Sequence, residues 1–174
     1  MIRVLVVGLG NMGLSHALAY HHQHCFQIVG LVNRTAVELP RDLNNYDQFD
    51  DFYTALSSTT PDLVCIATYS DTHADYAIAA IQAGAHVFVE KPLATNTADA
   101  IAVARAAKDN DRKLVVGYIL RHHPSWQRMI AEAKSLGGPY VFRLNLNQQS
   151  TGDEWSTHKQ LMQTTPPIVD CGVH

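Results

Sequence analysis

The chain has 174 residues, 47% hydrophobic and 17% charged, with a mean hydropathy near zero. That is a folded composition with room for one good-sized domain and part of another, and it excludes a disordered chain. The formal charge of −3 is spread without any Lys/Arg-rich block, which excludes nucleic acid and anionic membrane as expected partners. Cys25, Cys65 and Cys171 lie far apart with no C-x-x-C spacing, as unpaired thiols of a reducing compartment do. No apolar run approaches the ~18 residues of a membrane span, and the short run at residues 4–7 is broken by glycines, so it reads as a first strand of a cytoplasmic protein and not as a signal peptide.

In chain order, residues 2–7 predict a buried strand, 12–22 a helix and 26–32 a second strand. Asp51 suits the cap of a short helix through Leu56. Residues 63–67 predict a strand, with Cys65 as a small core residue. Residues 73–83 predict a helix, capped by Asp71 or Thr72 at its start and ended by Gly84. A strand at 87–89, a helix at 97–108, a strand at 114–116 and a helix at 125–135 follow. Continuous apolar strands alternating with helices imply βαβ units and a parallel sheet covered on both faces. The expected fold class is α/β, a Rossmann-type doubly wound parallel sheet. Beyond Pro139, Phe142, Leu144 and Leu146 alternate with Arg143, Asn145 and Asn147, the pattern of a half-buried antiparallel strand. The expected domains are therefore 1–121, a dinucleotide-binding unit, and 122–174, the start of an antiparallel α+β domain too short to close its own core.

Gly8-Leu9-Gly10-Asn11-Met12-Gly13 is a G-x-G-x-x-G between a strand and a helix, the context in which that pattern binds dinucleotides. Its glycines permit a tight turn, a close approach to pyrophosphate and close helix packing; the helix N-terminus offers free N–H groups to the phosphates. The acid usual at the end of the second strand is replaced by Asn33, followed by Arg34 and Thr35. With no carboxylate to repel a 2′-phosphate and an arginine able to pair with one, the cofactor expected is NADP ahead of NAD; the alternative is a solvated Arg34 with Asn33 alone on the ribose. Asp42 and Asp47 read as surface charges. Glu90-Lys91-Pro92 ends a buried strand, where α/β folds bind ligands; the Lys91–Pro92 bond is a candidate cis peptide, and a solvated salt-bridged pair is the plain alternative. Asp170 and His174 are four apart after Thr165-Pro166, one face of a short helix, where a carboxylate orients an imidazole for acid–base work or makes a surface pair. His16, His21, His22 and His24 read as a solvated helix end, with no metal-ligand spacing. Trp126 and Trp155 read as packing or pocket-wall residues. Arg121, after a strand end, reads equally as a contact to substrate or cofactor phosphate and as a structural salt bridge; His122 and His123 receive no role.

Taken together, the glycine loop, Ala67-Thr68, His73, Glu90-Lys91-Pro92, Gly117-Tyr118 with Arg121, and Asp170-x-Gly172-x-His174 resemble the Gfo/Idh/MocA oxidoreductases, a family of glucose–fructose oxidoreductases and inositol dehydrogenases. The resemblance implies a Rossmann domain followed by a larger antiparallel sheet domain. It also implies hydride transfer between NAD(P) and a hydroxyl-bearing carbon of a sugar, inositol or related polyol. Lys91, Asp170 and His174 would line the reacting centre, His174 taking the hydroxyl proton, Lys91 polarising that oxygen and Asp170 orienting His174 or the substrate. Gly8, Leu9, Gly10, Asn11, Met12, Gly13, Asn33, Arg34, Thr35, Thr68, His73, Glu90 and Lys91 would contact cofactor. The sequence departs from the family at Tyr69-Ser70, at Pro166-Pro167 and at the missing acid. Family members are about twice as long, so the chain reads as one cut short; a homo-oligomer would form through the open face of the second sheet in a full-length protein or, equally, through exposed strands here. The competing reading is a non-catalytic dinucleotide-binding module or an inactive relic.

Overall fold

Short strands that are apolar on both faces need cover on both sides, and the fold supplies it. The computed structural model describes residues 1–143 and 145. In it β1 (Ile2–Val7), β2 (Phe26–Val32), β3 (Gln48–Phe49), β4 (Leu63–Ile66), β5 (His86–Val89) and β6 (Leu114–Val116) form one sheet in the order β3-β2-β1-β4-β5-β6. Every pairing is parallel. The order reverses between β1 and β4, which makes this the expected Rossmann-type doubly wound sheet and places a crevice beyond the carboxyl ends of the strands.

Side chains alternate across β1. Val4 and Val6 join Leu9, Ala17, Ile28, Leu31, Leu43 and Cys65 in a core under α1 (Asn11–His21). Leu5 and Val7 join the opposite core, closed by α2 (Phe52–Thr59), α3 (His73–Gln82) and α4 (Thr97–Asp109). Burial of each such Val or Leu side chain contributes roughly 1.5–3 kcal/mol. Burial pushes the Cys65 thiol up to about 12, with the Glu90 charge adding to the rise and a Tyr20 hydrogen bond opposing it; it is the inert core residue its apolar setting implied.

β3 was not legible in the sequence. It holds two residues, and it docks because Gly30 on β2 leaves room for the Phe49 ring, which a Cβ there would meet at 2.8 Å. Asp51 caps α2, accepting from the Thr54 N–H at 2.7 Å, though the helix continues past Leu56 to Thr59. Gly84 ends α3 as expected: at φ +92° it lets the Gly84 and Ala85 N–H groups donate to Ile81 and Ala80, a Schellman closure. The start of α3 is a correction. Thr72 occupies the cap position without capping; its hydroxyl is turned to the Thr68 hydroxyl at 2.7 Å and the Tyr69 carbonyl at 2.9 Å.

The chain divides into two compact units, one of Met1–Gly117 and a second beginning at Tyr118. The second opens with a 3-10 turn, Ile119–His122, and α5 (Pro124–Leu136), in which Trp126 lies 6.3 Å from Phe142 between ring centres. Residues 140–143 and 145 carry no regular element, so the strand expected there is absent from its described part. Leu144, Leu146 and the helix expected to carry Asp170 and His174 lie outside the described residues. No helix among the described residues is long and apolar enough to cross a membrane.

Candidate functional site

The polar residues singled out in the first unit gather along one edge of the sheet because each follows the carboxyl end of a strand. After β1 comes the glycine loop. Gly8 sits at φ +87°, and a Cβ on it would strike the Ala67 carbonyl at 2.6 Å. Gly13 lies so close under the loop that a Cβ would fall 1.7 Å from the Gly8 carbonyl oxygen. Gly10 is the opposite case: a Cβ would meet nothing within 4 Å, because it faces the open crevice. Gly10 caps α1 without any side-chain bond, and the first turn holds no acid, so the first amides of α1 are presented to an anion without a competing carboxylate. Asn11 and Met12 are exposed beside it, whereas the Leu9 side chain is buried in the core below.

After β2, Asn33 ties two loops together. Its Oδ1 accepts from the Leu9 N–H at 3.0 Å, and its Nδ2 donates to the Thr35 carbonyl at 2.8 Å. Its own N–H donates to Phe49 of β3. Arg34 and Thr35 are exposed. The β2 end therefore presents a neutral amide and a cation where an acid is usual.

After β4 and β5 the polar groups turn inward. His73, expected to touch cofactor, is 1% exposed. Its Nδ1 lies 2.7 Å from the Pro92 carbonyl and its Nε2 3.1 Å from the Thr68 carbonyl. It joins the loop after β4 to the loop after β5 and has no surface left for the crevice. Thr68 is half-buried. Glu90 is 8% exposed, with Oε1 on His16 Nε2 at 2.7 Å and Oε2 accepting from the Lys91 N–H at 3.2 Å. Burial by itself would raise the Glu90 carboxyl. The hydrogen bonds from His16 and the Lys91 amide, with the electrostatic pull of both residues, outweigh that and hold it below the usual carboxylate range. Lys91 is half-buried, and the Lys91–Pro92 bond is cis.

His16 is thus a correction to the solvated-helix-end reading. Its side chain is 21% exposed and packs edge-on to Phe88 at 4.9 Å between ring centres. The signal was its register: Gly13, His16, Ala17 and Tyr20 share one helix face, and Gly13 and Ala17 are buried. His21 and His22 lie off that face and are exposed. Gly117 was noted in sequence but not for its reason: a Cβ there would press on the Glu90 carboxylate at 3.0 Å. Among the described residues no group of three His, Cys, Asp or Glu side chains could hold a metal ion. Asp170 and His174 lie outside the described residues.

The crevice, then, has an anion-ready loop, an acid-free second strand end and a lysine at the fifth strand end. Inositol 2-dehydrogenase of Salmonella typhimurium is 25% identical over 95% of this chain and 52% of its own length. A solved UDP-N-acetylglucosamine 3-dehydrogenase from Acidithiobacillus ferrooxidans is 29% identical with TM-score 0.65, over 75% of this chain and 43% of its own. The WlbA dehydrogenase of Bordetella pertussis, solved with NADH and UDP-GlcNAcA, is 26% identical with TM-score 0.67, over 78% of this chain and 42% of its own. The chain spans about half the length of the curated relatives it matches. The family model described as an oxidoreductase family with an NAD-binding Rossmann fold matches residues 2–118, and the chain belongs to that family, Gfo/Idh/MocA.

Proposed function

We propose that the chain binds NADP in preference to NAD and serves an oxidoreductase acting on a hydroxyl-bearing carbon of a sugar, inositol or related polyol. Residues 1–121 form the NAD(P)-binding domain, and 122–174 begin the domain that takes substrate and supports homo-oligomers. The observation that carries the reading is the convergence of the open Gly10, an α1 start whose amides meet no side-chain cap, and Lys91 on one sheet edge. The donor set fits a dinucleotide: backbone amides for pyrophosphate, a neutral Asn33 beside the ribose, and Arg34 for a 2′-phosphate. The substrate class is supported by two of the relatives, an inositol 2-dehydrogenase and a UDP-N-acetylglucosamine 3-dehydrogenase. Unpaired Cys25 and Cys65 favour a reducing, cytoplasmic setting.

A nicotinamide held by these residues would supply hydride acceptance or donation. Within the chain, Lys91 hydrogen-bonds the reacting oxygen and steadies charge developing on it. His174 would take the hydroxyl proton, and Asp170 would orient that imidazole or the substrate; such acid–base help contributes ~10²–10⁴ in rate.

Nicotinamide fluorescence during titration with NADPH and NADH tests the reading. NADPH should bind more tightly, and Arg34→Ala should weaken it by about tenfold or more, the loss of one charge-assisted pair, with NADH changed less. NADH binding equal to or tighter than NADPH overturns the preference. A folded protein that binds neither overturns the function and leaves a non-catalytic module. Oxidation of a panel of inositols and sugars, followed by nicotinamide absorbance and abolished by Lys91→Ala, tests the substrate class.

A further inference from the structure

We propose that His16 is a positioning residue for Lys91, acting through the buried Glu90 carboxylate. The inference rests on Lys91 being the lysine of the reacting centre, as proposed above, but its structural content is independent of any ligand. The two oxygens of Glu90 are divided between two partners: Oε1 meets His16 Nε2 at 2.7 Å, and Oε2 accepts the Lys91 amide at 3.2 Å. A carboxylate that accepts on both oxygens is held in one rotation about its last bond. The His16 contact therefore fixes which way Oε2 points, and Oε2 in turn holds the Lys91 amide.

The surroundings leave the carboxylate little other room. Gly117 lies under it, so close that a Cβ would stand 3.0 to 3.2 Å from its three terminal atoms. The Gly117 N–H donates to Val89, which keeps β6 in register with that floor. Phe88 meets the edge of the His16 ring and limits its swing. Glu90 itself is 8% exposed, so water is a poor substitute for a lost partner.

His16 belongs to the helix that the glycine loop opens, and Glu90 to the end of β5. The pair is thus a strut from the phosphate-facing helix to the lysine. It keeps two parts of one crevice in fixed relation, and placement of this kind is what lets a reacting group work.

The test compares His16→Gln and His16→Leu in the full chain, with exposed His22→Ala as control. Glutamine presents a side-chain N–H that can reach Glu90; leucine fills similar space without a donor. Exchange of the Lys91 amide hydrogen, followed by ¹⁵N NMR without cofactor, reads the position directly. His16→Leu should speed it by about tenfold or more, the loss of one buried charge-assisted bond. His16→Gln should stay within about threefold of the parent, and His22→Ala should match the parent. Unchanged exchange in a folded His16→Leu, or equal acceleration in both His16 variants, overturns the proposal. If His16→Leu does not fold, Glu90→Gln carries the test: a weaker acceptor should speed Lys91 exchange, and no change overturns it. Cofactor binding does not enter this readout, so failure of the parent chain to bind NADPH would overturn the proposed function and leave this result intact.

Discussion

The glycine loop and the loop after β5 stand on the same sheet edge and use opposite materials. At the loop, backbone faces outward and side chains are absent or sunk: Gly10 looks onto open space while Leu9 is in the core. After β5, the polar side chains themselves are sunk: Glu90 sits against His16 and Gly117, and nearby His73 lies between two carbonyls. The difference separates two ways of making a site rigid. A backbone cradle is rigid because atoms leave no room for anything else. A side-chain site is rigid only while its hydrogen bonds are complete.

The sharpest way to break that comparison is Gly13→Ala. A methyl 1.7 Å from the Gly8 carbonyl cannot be housed without moving α1 off β1, and a cost of at least about 3 kcal/mol is expected, read as a large fall in Tm or loss of folded protein. Gly10→Ala should show the reverse. Its φ of −72° and empty surroundings accept a methyl without a clash, so stability should fall by no more than about 1 kcal/mol, the ordinary preference for Gly over Ala at a helix start. NADPH affinity should drop about tenfold or more as the methyl enters the cradle. Equal loss of stability in both variants would mean that the loop is packed throughout and has no open side.

The side-chain region should announce itself in acid. The Glu90 carboxyl is lower in the folded chain than its usual value, so the unfolded chain takes up that proton first as pH falls. The contribution is full above the ordinary carboxylate range and is lost as pH drops through the lowered value. Glu90→Gln should therefore flatten the acid limb of a stability–pH curve between those limits, measured by denaturant titration; an unchanged limb would remove Glu90 from the account. The smallest effect is expected at the last residue of the loop after β5, where a side chain caps a helix. Asn96 caps α4, accepting from the Asp99 N–H at 2.9 Å, and Asn96→Ala should cost about 1 kcal/mol with NADPH affinity untouched.

The comparison also explains what the sequence could and could not disclose. Strands such as β1 and β4 were legible because burial on both faces demands unbroken apolar runs. β3 was not, since a two-residue strand that begins with Gln48 has no pattern, and its place depends on a hole over Gly30. The glycine loop was legible because its chemistry is local: three glycines, one turn, one helix start. His16 was lost among three other histidines because its partner is 74 positions away; only the helix register separated it from them. His73 and Glu90 were named as cofactor contacts because sequence order gives no direction to a side chain, and both point into the protein.

One small turn reaches further back than the chemistry. Asn33 donates to the Thr35 carbonyl at 2.8 Å while accepting from Leu9. An aspartate there could keep the bond from Leu9, but it would set oxygen against oxygen at Thr35 and push the turn open. Exchange between amide and acid at this position is therefore not a single-letter step. An acid at this position would need a different turn at 33–35, one in which its second oxygen meets a donor instead of the Thr35 carbonyl.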